Sequence, residues 1–303
     1  MQICWQEMAF DRVMRCLFVV VALILATPRW STAEINMADS IEWTTADSDR
    51  VVIGKVAKLE TRTDGATIWF LATIAVTETL KGPPARTVDI VVRNTFGDNH
   101  PGNWKNQEVL LFLIASDKRA KRDGDHTPAP LYAKAPFALR HGQWGNDAYR
   151  IGTDPAYTID HTVIRKRADL ISRVRGAAAS KATEAFQIDL PLDSPAGRAL
   201  YGGSAVFLYV PVDAALEAKA IQWIAASDAQ LREQGARALA HFKSAANIAR
   251  LEKLLLDRAT HDVTEGNKPT VRRFFVRKRA HEVLRAWGHP HTTPPIDTPV
   301  PNP

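Results

Sequence analysis

The chain has 303 residues, 46% hydrophobic and 24% charged, with a formal net charge of +6. That apolar share suits a packed core and excludes a chain disordered throughout. So modest a positive charge permits contact with acidic glycans or lipid headgroups but dictates no polyanion, and no nucleic-acid partner is expected.

At the amino end, Arg12 and Arg15 flank the start of an apolar run over residues 16–26, and Ser31-Thr32-Ala33 supplies small residues before Glu34. This is the order of a cleavable signal peptide, assigned to residues 1–33. A run of roughly 11 apolar residues is too short to span a bilayer, which takes about 20. The chain is therefore expected to be exported, periplasmic or extracellular, with no transmembrane segment once the signal is removed. Both cysteines, Cys4 and Cys16, precede the cleavage point. The remainder has no disulfide, thiolate nucleophile or sulfur metal ligand.

The first half reads as strands. Residues 68–76 alternate, with Ile68, Phe70, Ala72, Ile74 and Val76 on one face. Residues 51–56 and 88–92 are similar, and 109–114 form a continuous apolar run suited to a strand covered on both sides. Turn chemistry separates them at Asp64-Gly65, at residues 81–84 and over 97–106. Val163, Ile164, Ala168, Ile171 and Val174 then make a helical stripe over 162–175 that lies on the barrel. The expected fold is α+β, a small antiparallel β-barrel or sandwich, OB-like, over residues 34–176 with that helix closing it.

The phrases at 49–56, 76–82 and 108–113 resemble netrin-like, tissue-inhibitor-type OB-fold domains of exported bacterial proteins. The chain lacks the amino-terminal cysteine with which the animal inhibitors chelate metal, so that mode is not carried over.

An Ala/Ser/Lys stretch at 177–184 marks a boundary, and a second part follows over 185–288. Strands are expected at 186–192 and 205–210; whether they join the barrel is open. Beyond them Leu231, Gly235, Ala238, Leu239 and Phe242 are spaced like Val276, Ala280, Val283, Leu284 and Trp287, 45 residues on. Ile248, Leu251, Leu254 and Leu255 form another amphipathic helix between them, ending at Asp257. This order resembles HEAT repeats, whose period is about 40–47. It implies a short helical stack in which Leu239 and Leu284 are core and Arg232 and Glu233 are exposed. Ser227 or Asp228 and Thr270 are candidate amino caps and Gly288 a carboxy cap. The proline-rich tail, 289–303, cannot fold alone.

Catalytic motifs are weak. His281-Glu282 opens like a zinc-protease motif, but Arg285 stands where the second histidine is needed. Ser204 follows two glycines yet lacks the glycine two residues on of a nucleophile elbow. Asp98, Asn99 and His100 lie in a long loop, and His289 and His291 make at best an adventitious metal site. No cofactor is expected. The cluster Arg272, Arg273, Arg277, Lys278 and Arg279 is read either as a solvated helix face beside Asp257, Asp262 and Glu265, or as an anion-binding ridge on the last helix. These features point to an exported, non-enzymatic binding or scaffold protein whose partner is another protein or an anionic polymer of the cell envelope. The alternative is an envelope hydrolase whose site is dispersed in sequence.

Overall fold

The computed structural model describes residues 35–65, 67–93, 100–123, 129–140, 147–191, 193–200, 205–264, 266 and 269–300. The signal peptide and its cleavage point, Asp98, Asn99, Ser204 with its two glycines, and Glu265 lie outside the described residues. Among the described residues no helix is long and apolar enough to cross a membrane.

The chain enters through strand β1 (Ile35–Asp39) and a short helix α1 (Ile41–Ala46), then builds a barrel from β2 (Arg50–Asp64), β3 (Thr67–Lys81), β4 (Thr87–Arg93), β5 (Val109–Ala115) and β6 (Phe137–Leu139). Two helices, α2 (Ser116–Asp123) and α3 (Ala129–Tyr132), intervene before β6, and β7 (Ala148–Arg150) extends the sheet beside β5. The strand order is β2-β3-β4-β6-β5, closed by a β2–β5 pairing. Only β4 and β6 run parallel. This is the closed, OB-like barrel of an α+β protein.

Closure needs curvature, and the β2–β3 ladder has three register shifts that supply it. Gly54 sits at one. A Cβ there would lie 2.4 Å from the Ala75 carbonyl oxygen, so no side chain fits. Strand β5 is buried on both faces, as its unbroken apolar run implies. Val109, Leu111 and Leu113 fill the barrel with Val52, Phe70, Ile74 and Ile90. Leu110 and Phe112 point outward, against Ile41, Leu170, Ile171 and Val174.

After β7 come a two-stranded ladder, β8 (Ala156–Tyr157) and β9 (Val163–Ile164), and helix α4 (Arg167–Ala177). The helix begins later than its stripe suggests, because Val163 and Ile164 pair with Tyr157 and Ala156 instead of joining it. Its buried residues are Leu170, Ile171, Val174 and Ala177.

Strands β10 (Ala185–Asp189) and β11 (Ala205–Pro211), joined through α5 (Pro195–Leu200), do not enter the barrel. They form a separate sheet of order β1-β11-β10, whose third member, β1, falls within the stretch assigned to the barrel domain. Ile35 to Asp39 runs parallel to Ala205 to Tyr209. A parallel pairing across some 170 residues leaves no local pattern in the sequence.

Helices α6 (Ala214–Ile224), α7 (Ala229–Leu239), α8 (Ala245–Leu254) and α9 (Phe275–Ala286) cover one face of this sheet. Asp213, Asp228 and Ser244 cap the first three through side-chain oxygens. Thr270 caps nothing helical; α9 starts five residues later with no side-chain cap. Gly288, at φ +68, ends α9 as expected. Gly235 lets α7 approach α6, where a Cβ would come within 2.8 Å of the Ala220 carbonyl oxygen. The tail turns back. Strand β14 (Asp297–Pro299) pairs with β13 (Val271–Arg273), which also pairs with β12 (His261–Val263).

Arg232 departs from its expected exposure. Its guanidinium holds Asp257 through bonds of 2.7 and 3.3 Å and donates to the carbonyls of Ala226 and Ser227. Glu233 likewise pairs with Arg279. Leu239 and Leu284 are both 0% exposed. Replacing either leucine with alanine is expected to cost about 2–5 kcal/mol, and Arg232→Ala about 1–3 kcal/mol through the orphaned Asp257 and lost carbonyl bonds. Denaturant unfolding of the three variants measures this. A neutral Arg232→Ala would mean that the joint at Asp257 does not form.

Candidate functional site

The five cations of the presumed ridge do not share a helix. Arg272 and Arg273 lie on β13, and only Arg277, Lys278 and Arg279 lie on α9. The helical rows that would align Arg272 with Arg279 and Arg273 with Arg277 therefore do not exist. The cause is the β12–β13 hairpin, which turns through Gly266 at φ +60 and commits residues 271–273 to a strand.

Each of the five has a partner. Arg272 meets Asp262 at 3.0 Å and Arg273 meets Asp297 at 3.0 Å, and these hydrogen bonds hold both carboxyls below their ordinary range. Lys278 pairs with Glu282, while Arg279 bridges Glu233 (2.6 Å) and Glu282 (2.9 Å). Arg277 is buried. It donates to the carbonyls of Pro295 and Asp257 at 2.5 and 3.0 Å and stacks over Phe274 at 4.1 Å.

The histidines are similarly engaged. His281 Nδ1 lies 2.9 Å from His291 Nε2 and 2.8 Å from Thr293 Oγ1. His289 pairs with Glu252, and His100 stacks on Phe70 with centroids 4.8 Å apart. Among the described residues no group of three or more histidines or carboxylates is placed to hold a metal ion.

Two surface clefts stand out among the described residues. The larger, about 910 Å³, lies where the barrel meets the helices. Its walls are Glu42 of α1, Ser172 and Arg173 of α4, Lys181, and residues 213–215 at the start of α6. Glu42 is only 9% exposed; its Oε2 accepts from the Ile159 N–H at 3.2 Å. Oε1 stands 3.3 Å from the Arg173 guanidinium but makes no hydrogen bond. Burial raises the Glu42 carboxyl above its ordinary value, against the opposing pull of its own backbone N–H and of Arg173. Arg173 is shared with Asp160 at 2.6 Å. Ser180 donates to Asp213 at 3.0 Å.

Sequence reasoning passed over Glu42. It sits in a helix of six residues, too short for any periodicity to reveal that the acid is buried. The smaller cleft, about 700 Å³, is lined by Arg273, Lys278 and Arg279 of the former ridge but not by Arg272 or Arg277.

Comparison with protein-family models, with curated proteins and with solved structures finds no match to this chain.

Two outcomes are expected from this geometry. Arg277→Met removes two charge-assisted bonds, one of them to the tail carbonyl of Pro295, so the tail should become several-fold more susceptible to limited proteolysis; unchanged cleavage would contradict the anchoring role. For Glu42 the folded state binds its proton more tightly than the unfolded chain, so its contribution to stability is present at low pH and lost as pH rises above about 4.5. Glu42→Gln should therefore gain on the wild type in thermal melts between pH 4.5 and 7. A difference independent of pH would show that Glu42 ionises freely.

Proposed function

We propose that this is an exported binding or scaffold protein, in which a netrin-like, OB-type barrel and a HEAT-like helical stack together present the junction cleft to another protein. The observation that carries the reading is the cleft itself, roughly 910 Å³ and walled by the barrel's closing helix and by the first helix of the stack. A cleft of that size is within the range of binding pockets, and its walls mix apolar residues such as Ile159, Ile164 and Pro211 with the charged Glu42, Arg173, Lys181 and Asp213. An anionic polymer is the weaker partner, since the cations that would hold it are already matched by Asp262, Asp297, Glu233 and Glu282.

One feature favours the hydrolase reading. A carboxyl raised by burial, like that of Glu42, is what a proton donor needs. Against it, the Ser180 hydroxyl donates directly to a carboxylate, with no imidazole between them to take its proton.

The test is site-specific photo-crosslinking in the native host, with the probe at Ser172 in the cleft and, as a control, at Lys58 on the distant β2–β3 hairpin. A discrete adduct from Ser172, absent from Lys58 and reduced by Arg173→Ala, is expected. Adducts from both positions, or from neither, would count against the cleft. A substrate turned over by the wild type and not by Glu42→Gln would move the assignment to the hydrolase. Export is read from the same preparation, as an amino terminus at or near Glu34; an intact cytoplasmic chain would overturn it.

A further inference from the structure

The smaller cleft shares no lining residue with the junction cleft. Its walls are the first two turns of α7, the end of β10 and the start of α9. At its back is Gln234, 3% exposed. The Gln234 Oε1 accepts from the Asp189 N–H at 2.7 Å, which fixes how the amide is turned. Its Nε2 is buried with no hydrogen-bond partner among the described residues. A buried donor left unmade is costly, so this atom marks a place for an acceptor.

The surroundings say which acceptor. Strand β10 is the edge of its sheet, and α7 covers that edge with side chains: Arg237 donates to the Gln187 carbonyl at 3.0 Å, and Gln234 takes the Asp189 N–H. The Gln234 amide thus occupies the place of a peptide unit on an added strand, accepting from β10 with its donor side unmatched. Its natural complement is another amide carbonyl. Charge narrows the choice further. The lining carries three acids, Asp189, Asp228 and Glu233, against the guanidinium and ammonium groups of Arg273, Lys278 and Arg279, with the His261 ring tilted against Phe275. Arg273, Lys278 and Arg279 are each ion-paired, which leaves none of the three free for a phosphate or sulfate polymer. Leu190, Pro191, Leu231 and Phe275 add an apolar wall.

We infer that this cleft binds an uncharged peptide segment, one backbone carbonyl accepting from Gln234 Nε2 and an adjacent apolar side chain resting on Leu231 and Phe275. Specificity is for an amide carbonyl beside a branched apolar group, and ligands lacking the carbonyl are rejected because the buried donor stays unmatched.

The full chain, labelled with ¹⁵N, is titrated with N-acetyl-leucine N-methylamide, a small molecule that carries both features. The side-chain amide resonances of Gln234 should move saturably, together with the backbone peaks of Leu231 and Phe275. Isoamyl alcohol, which keeps the branched chain without the amide, should leave the Gln234 pair in place, and so should heparin. Gln234→Glu keeps an acceptor for the Asp189 N–H but removes the donor, and should weaken binding about tenfold. If that variant does not fold, the wild-type Gln234 resonances still decide. A Gln234 pair unmoved by the leucine amide overturns the proposal. So does equal movement with isoamyl alcohol, while movement with heparin alone would make the cleft a polyanion site.

Discussion

The architecture turns on one buried guanidinium. Arg140, at the end of β6, is 0% exposed and is held by three carboxylates: Asp39 on β1, Asp47 just after α1 at 3.0 Å, and Asp147 before β7 at 3.3 Å. Arg122 from α2 adds a second cation, clamping Asp47 with bonds of 2.6 and 2.8 Å. Burial alone would loosen the proton on Arg140, but Asp147, Asp39 and Asp47 more than reverse this and hold it more firmly than usual. A lone charge in such a place would be prohibitive. Paired this densely, the cluster is costly to dismantle piecemeal, since removing any one member strands the others.

What the cluster joins is the point. Asp39 belongs to the second sheet, Asp147 and Arg140 to the barrel, and Asp47 to the turn between them. Lys81 supports that turn by donating to the carbonyls of Thr45 and Ala46, both at 2.8 Å. Helix α1 is thereby fixed between two cores, with Ile41 packed under the barrel and Glu42 left at the floor of the junction cleft. The same tether that unites the halves positions the carboxyl between them.

How much of this could be read beforehand depended on distance along the chain. The alternation over 68–76 placed Phe70, Ala72 and Ile74 correctly in the barrel interior, because a strand's two faces are written in neighbouring residues. Ile68 broke the rule, 39% exposed near the hairpin tip, where the barrel no longer covers it. The 45-residue repeat likewise found Leu239 and Leu284. Arg140 was invisible, since its three acids lie 101, 93 and 7 positions away and nothing local distinguishes it from a surface arginine. The strand character of Arg272 and Arg273 was hidden differently. Three residues are too few to alternate, though the turn-forming run from Glu265 to Pro269 was a signal that a hairpin precedes α9. Gln234 and Glu42 owe their interest to burial, which a single polar letter does not disclose.

The parallel pairing of β1 with β11 bears on how the molecule is born. A chain synthesised amino end first presents Ile35 to Asp39 early, yet their hydrogen-bonding partner, Ala205 to Tyr209, follows all of the barrel strands. The loop to be closed spans about 170 residues, from Ile35 to Ala205, and such non-local contacts are slow to make. The pairing with β11 holds the strand that carries Asp39, so the last carboxylate on Arg140 is positioned by a segment of the helical half. The buried cation of the barrel is therefore completed by a residue of the second sheet, so the two halves share one charge cluster even though their cores are filled by different residues.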